Sequence, residues 1–479
     1  MNQVLDGIDK VVTAISGVLY MPWVPFLLLA AGLFFTFRSK FMQVRLLGES
    51  FRVVSEKPKT KGGISSFGAL MVSTASRVGT GNIVGVSTAI CMGGYGAVFW
   101  MWVSGLLGMS TKACEIILGQ RYRVKYSESM DEYMCDRSFV MKNALGWKKG
   151  AVVLAVACFV LGPWTCCVQT ESVTSSLQEG FGIDPLISVI VLGVTCFLTI
   201  AGGLKRISSI MERVVPIMAL FYVLGGLGIL IMNWSEVPAA FGLIFKSAFP
   251  PMPGVGGFPG ATVRDAIRYG IARGLYSNDA GTGYGIIAHA SAKTDHPVRQ
   301  ASWGWGEVFL DTIVVCSVTA LSLIITNAYI DYPDVDSAQL TTVAFKVAYG
   351  DFGGWFMAIA IAIFAWTTII GMYYSCEKSV NYAFGDTKAN RRATWVYMVY
   401  YMLPCVLFYN IEADTLWAMT DLLSAIYVII TLLFIYSKQR EIFRLFHDFW
   451  DRFVPAQERG ENPEPVVYGT VDEKAKGEF

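Results

Sequence analysis

Histidine is nearly absent from this chain, with three in 479 residues: His289, His296 and His447. That scarcity leaves no plausible zinc cluster and no His-Glu-x-x-His motif. No nucleophile–base constellation stands out either, so the residues point to no enzyme chemistry. Charge is also sparse: 16% of residues are charged against 54% hydrophobic, which excludes an ordinary soluble domain. The net charge of +1 is spread over loops, so no nucleic-acid partner is implied, and nothing implies a partner protein. No cleavable signal peptide is evident, and residues 1–16, with Asp6, Asp9 and Lys10 among apolar residues, read as amphipathic and interfacial. The ten cysteines, Cys91 to Cys405, lack metal-ligand spacing and read as small buried hydrophobes, the vicinal Cys166-Cys167 included.

What the chain does have is long apolar runs, about eleven of them near the length that crosses a hydrocarbon core. They fall at roughly 17–37, 64–92, 96–121, 150–179, 185–202, 207–233, 262–290, 300–327, 353–384, 392–409 and 413–437. Alternate connections are basic: Arg38 to Lys61, Arg121 to Lys149, Lys205-Arg206, Lys293 and Arg299, Lys388 to Arg392, and Lys438 with Arg440. The intervening ones are short of basic residues and often acidic, Lys246 excepted. The positive-inside rule then puts the N-terminus outside the plasma membrane and the C-terminus in the cytoplasm.

Two of these runs are interrupted. Gly79-Thr80-Gly81-Asn82 breaks the second, and Ser277-Asn278-Asp279-Ala280-Gly281-Thr282-Gly283 breaks the seventh. Such breaks free backbone amides and carbonyls at membrane depth, where only an ion, a substrate or protein groups can satisfy them. With the first span set aside as peripheral, the broken spans are first and sixth of ten, the arithmetic of a five-plus-five inverted repeat. The expected fold is therefore an all-α polytopic membrane protein. Its parts are an N-terminal segment, first span and cytoplasmic loop (1–60), a first repeat (61–235), an extracellular loop (236–260), a second repeat (261–437) and a cytoplasmic tail (438–479). The tail from Glu458 onward is polar and proline-containing and reads as disordered.

The motifs around the breaks resemble the alanine/glycine:cation symporter family (sodium:alanine symporters), within the larger group sharing the LeuT-type inverted repeat. The resemblance is carried by Gly79-Thr80-Gly81-Asn82-Ile83, Phe99-Trp100-Met101-Trp102, Gly108-Met109-Ser110-Thr111-Lys112 with Glu115, and Gly203-Leu204-Lys205-Arg206-Ile207. Ala272 to Gly281, Glu307 to Thr312 and Phe364 to Gly371 extend it, in order, over most of the chain. Departures sit near the expected pocket: Glu171 in Gln169-Thr170-Glu171-Ser172, Met372 after Gly371, and the Gly281-to-Gly285 run. They leave the exact substrate open.

The amides of Thr80, Gly81 and Asn82 begin a half-helix whose dipole suits a substrate carboxylate. Carbonyls from Ala272 to Ser277, with Ser277 and Asn278, suit its ammonium, and the resemblance implies that Gln169 faces the pocket. It also implies a sodium site of the Ala75 and Val78 carbonyls with the hydroxyls of Thr367 and Thr368; Asn82 is a candidate for a second. Arg77 and Asp279 are expected to bridge the two breaks. Glu171 is expected as a structural ion pair or as a carrier of protons or cationic substrates. Glu115 is expected in a gate or interfacial ion pair near a cytoplasmic span end. The implied function is sodium-driven symport of alanine or glycine into the cell. Proton coupling or a larger neutral amino acid is the alternative, and a channel, which needs a continuous selectivity ring, is the more distant one.

Overall fold

A computed structural model describes Ile15 and residues 23–55, 63–127, 132–249, 262–385, 388–407 and 413–466. The rest of the amphipathic segment at 1–16, residues 250–260 of the outer loop and residues 467–479 lie outside them. The architecture is all-α apart from one two-stranded hairpin, Val124–Ser127 with Glu132–Met134, which composition did not foreshadow. Helices occupy every apolar run. Among the described residues, five stretches are long and apolar enough to cross a membrane, or six if Trp23–Arg38 and Met42–Val53, bent by 59°, form one span. Of the others, the two glycine-rich runs are broken, Gly96–Tyr122 buries charges such as Lys112 and Glu115, and Pro185–Ile200 is 16 residues long. All ten cysteines are free and buried.

The broken runs have the expected form. Ser66–Ala75 and Val84–Gly93 flank a short turn at Thr80–Asn82, and Val263–Asn278 and Tyr284–Ala290 flank the second break. Two further interruptions were not expected. The 150–179 run is split into Lys148–Leu161 and Thr165–Phe181 by the turn Gly162–Trp164, where Pro163 has no N–H to donate. The 300–327 run widens into a π-helix at Phe309–Val315, a form that recurs at functional sites. Gly96–Tyr122 packs along Val263–Asn278, and Asp351–Phe384 packs along Thr165–Phe181, so these two long helices hold the breaks in place.

The chain after the last span is more ordered than its composition implied. Gln439–Asp448 buries Ile442, Phe443, Leu445 and Phe446 against the rest of the protein. Arg38 stands 5.0 Å over the Phe443 ring, and Arg45 stands 5.1 Å over Phe446 and 4.6 Å over Trp450. Glu441 accepts from Tyr122 Oη at 2.6 Å and pairs with Arg121. His296 Nε2 meets Asp448 Oδ2 at 3.1 Å. The expectation of disorder from Glu458 is corrected as far as Val466, whose N–H donates to the Asp295 carbonyl at 2.7 Å. A docked amphipathic helix just upstream tethers a segment too polar to order itself.

Glu441→Ala should remove two charge-assisted contacts, weakening the docking by about 1.5–3 kcal/mol each. Hydrogen–deuterium exchange over residues 439–458 should accelerate accordingly, with the spans unchanged.

Candidate functional site

At the first break the helix ends at Ala75. The Arg77 and Val78 amides both turn back to the Thr74 carbonyl, at 3.0 and 2.8 Å. Among the described residues, the carbonyls of Ala75, Ser76, Arg77 and Val78 accept no backbone hydrogen bond. The chain then passes Asp351–Phe384 at contact distance: a Cβ on Gly371 would lie 2.7 Å from the Ser76 nitrogen. A Cβ on Gly79 would lie 2.3 Å from Thr368 Oγ1, so glycine is required there. That Thr368 hydroxyl is buried and has no hydrogen-bond partner among the described residues. Thr367, by contrast, donates to its own helix at the Phe364 carbonyl, 2.9 Å away, and lies 3.4 Å from Met218 Sδ.

Thr80 donates its hydroxyl to Gln169 Oε1 at 2.9 Å, and Gln169 Nε2 donates to Tyr276 Oη at 3.1 Å. The Tyr276 ring lies over Gly81, where a Cβ would come within 2.6 Å of it. Asn82 accepts from the Gly79 amide at 3.0 Å and donates to Ser277 Oγ at 2.9 Å and Asp311 Oδ1 at 2.6 Å. Ser277 and Thr312 donate to Asp311 Oδ2, and Asn278 donates to Thr312 Oγ1 at 2.9 Å. Thr80, Gly81, Asn82, Gln169 and Ser277 therefore converge, with Asn278 one contact removed. Asp311 ties the two breaks together, and the sequence reading gave it no role. Its signal was present, a carboxylate inside an apolar run, but only the fold shows that its partners here are neutral donors.

Two charged layers enclose this cluster. In one, Arg77 Nε lies 3.6 Å from Asp279 Oδ2, so the breaks are joined by charge as well as by Asp311. Asp279 adopts the left-handed conformation with φ 52°, which aspartate tolerates better than most residues. Glu307 Oε2 lies 3.8 Å from Arg77 and 3.9 Å from Lys112, and its Oε1 meets His289 Nε2 at 2.8 Å. Of the two expectations for Glu115, a gate or an interfacial ion pair, burial removes the interfacial one. Glu115 is fully buried 3.9 Å from Lys112, and its carboxylate accepts from the Gly281 and Gly285 amides freed by the second break. In the other layer, Arg273 reaches Asp421 at 3.0 Å and stands 4.2 Å over Trp417, whose ring lies 4.7 Å from Tyr276.

Glu171 forms no ion pair among the described residues, which corrects that expectation. Ser172, its neighbour, donates to its Oε2 at 3.5 Å.

Breaking the Arg77–Asp279 pair from either side leaves an uncompensated buried charge. Arg77→Gln and Asp279→Asn should each destabilise by about 3–5 kcal/mol in detergent, and the double variant by less than their sum. Thermal unfolding of the four proteins checks this; strictly additive losses would show that the two charges act separately.

The chain matches the model of the sodium:alanine symporter family over residues 5–464. It is 38% identical over 423 residues to the sodium/alanine symporter AgcS of Methanococcus maripaludis, covering 85% of this chain and 91% of that one. The uncharacterized transporter YflA of Bacillus subtilis is 35% identical, over 91% of this chain and 92% of its own. The probable sodium/glutamine symporter GlnT of Bacillus subtilis is 31% identical, over 98% of this chain and 95% of its own. A multi-pass membrane protein with two broken helices, an oxygen-rich cluster between them and these relatives along its length belongs to the sodium:alanine symporter family.

Proposed function

We propose that this carrier moves alanine or glycine into the cell by symport with sodium across the plasma membrane, N-terminus outside and C-terminus inside. The observation that carries the ion assignment is the row of carbonyls from Ala75 to Val78 beside the partnerless hydroxyl of Thr368. Sodium is a hard cation that takes oxygen ligands without demanding geometry, as such groups supply. Thr367 contributes its lone pairs while its proton stays on Phe364, a weaker role than that of Thr368. The substrate carboxylate is assigned to the amide of Gly81, with those of Thr80 and Asn82 exchanging their present acceptors, Gln169 Oε1 at 3.4 Å and the Gly79 carbonyl at 3.2 Å, for the ligand, and its ammonium to the Ser277–Asn278 end of the second break. Tyr276 over Gly81 and Gln169 beside Thr80 limit the space for a side chain, which favours a small amino acid.

Coupling follows from electrostatics. Carbonyls without hydrogen-bond donors repel one another when drawn together, and a cation among them would stabilise the break in its substrate-ready shape. Opening then alternates. Release of Arg273–Asp421 with Tyr276 exposes the cluster to one side, and release of the Arg77–Asp279–Glu307 network exposes it to the other. The relative named for glutamine keeps a larger neutral amino acid as the alternative substrate. Proton coupling is the alternative drive, with Glu171 as its candidate carrier.

Uptake of radiolabelled alanine and glycine into proteoliposomes tests the proposal. A sodium gradient alone should drive accumulation, and Thr368→Ala should raise the sodium half-saturation concentration about tenfold or more, the equivalent of one charge-assisted contact. Thr367→Ala should shift it less. Accumulation driven by a proton gradient without sodium, and lost in Glu171→Gln, would replace sodium with protons; no uptake under either gradient would exclude both amino acids.

A further inference from the structure

Away from both breaks, a cavity of about 280 Å³ opens between the turn at Ile200–Leu204 and the helices Asp351–Phe384 and Lys388–Leu407. Its lining is mixed in chemistry: Leu204, Trp395 and Met398 are apolar, while Lys378, Asn381 and Arg391 are polar or cationic. Lys378 is buried, with Nζ 4.2 Å from the centre of the Tyr374 ring, so its charge is held in place at the cavity rather than swinging in solvent. Among the described residues of the lining, Glu377 is the one that is acidic. Further positive charge follows directly in the chain, at Lys205 and Arg206 on one side and Arg392 on the other.

The depth of the cavity narrows its occupant. Both connections that border it, around 201–206 and 388–392, are among the basic loops that the charge bias assigns to the cytoplasm. The cavity then sits at the headgroup level of the inner leaflet. Trp395, with 54% of its surface exposed, stands where amphipathic rings gather at such an interface. A ligand fitting these walls carries a compact anion for Lys378 and Arg391 and an apolar portion for Leu204, Met398 and the bilayer beyond. Arginine favours phosphate through its paired donors, and basic pockets between spans at this level suit anionic lipid headgroups.

We propose that this cavity is a binding site for an anionic phospholipid of the cytoplasmic leaflet, its phosphate held by Lys378 and Arg391. The assignment rests on the cytoplasmic placement of this end and not on which amino acid or ion is carried. It has a mechanical consequence. Lys378 and Asn381 lie on the same helix as Thr368 and Gly371, the residues in contact with the first break. A lipid wedged between that helix and the Gly203–Met232 helix would set the position of a wall of the transport site.

Native mass spectrometry of the intact protein in detergent tests this, with phosphatidylglycerol, phosphatidylcholine or glycerol phosphate added separately. The wild type should retain phosphatidylglycerol over phosphatidylcholine, and Arg391→Glu should cut that preference at least about fivefold, the scale of one cationic contact. Met398→Trp, which fills space at an apolar residue of the lining without touching charge, should lower retention of the lipid as well; unchanged melting midpoints exclude misfolding for either variant. Equal retention of both lipids, or a preference that survives Arg391→Glu, overturns the proposal. Displacement of the lipid by glycerol phosphate alone would make this a site for soluble anions and would also overturn it.

Discussion

Everything in this fold answers to one constraint: backbone polar groups released inside a hydrocarbon layer must find partners within the protein or its cargo. At both breaks side chains supply acceptors for the freed amides. Glu115 takes the Gly281 and Gly285 amides, and Asn278 takes that of Ala280. Asn82 takes that of Gly79, and Gln169 receives the amide and hydroxyl of Thr80. The carbonyls are left over at both: among the described residues, those of Ala75 to Val78 and those of Ser277, Asn278, Ala280 and Gly281 accept no backbone hydrogen bond.

The buried charges obey a related logic. Arg77, Lys112, Glu115, Asp279 and Glu307 are separated by 3.6 to 3.9 Å, beyond hydrogen-bond length. Pairs at that spacing return little of the desolvation cost of burying them, so stability is a poor explanation for their presence. They are better suited to being rearranged. On the proposed alternation, each element that shifts to open this side carries one member: Arg77 after the first half-helix, Asp279 at the second break, His289 on the half-helix beyond it, and Glu307 ahead of the π-helix. Glu307 meets Arg77, Lys112 and His289 and is the node of the network.

Much of this was legible in the chain, and the unread parts share a cause. Apolar runs and glycine-rich breaks are local features, so the helices and the positions of both breaks follow from short windows of sequence. The pairing of Arg77 with Asp279 was open to inference because two lone opposite charges at similar depth are costly apart. Asp311 was not, since a carboxylate that ties Asn82 to Ser277 looks in sequence like any acidic residue near a span. Glu115 was left between a gate and an interface for the same reason: four residues of context cannot say whether a carboxylate faces water or two freed amides from another helix. The turn at Gly162–Trp164 was hidden by the hydrophobicity on both sides of it, and the ordered tail by its own polarity.

The docked helix at Gln439–Asp448 bears on how the protein is made. Its aromatic face receives Arg38 and Arg45, which leave the ribosome long before the helix itself. The Trp23–Arg38 helix and the loop after it therefore wait, while both breaks are made, before their final partners exist. A chain stopped short of this helix would carry both breaks, yet leave an open seam for quality-control proteases to read.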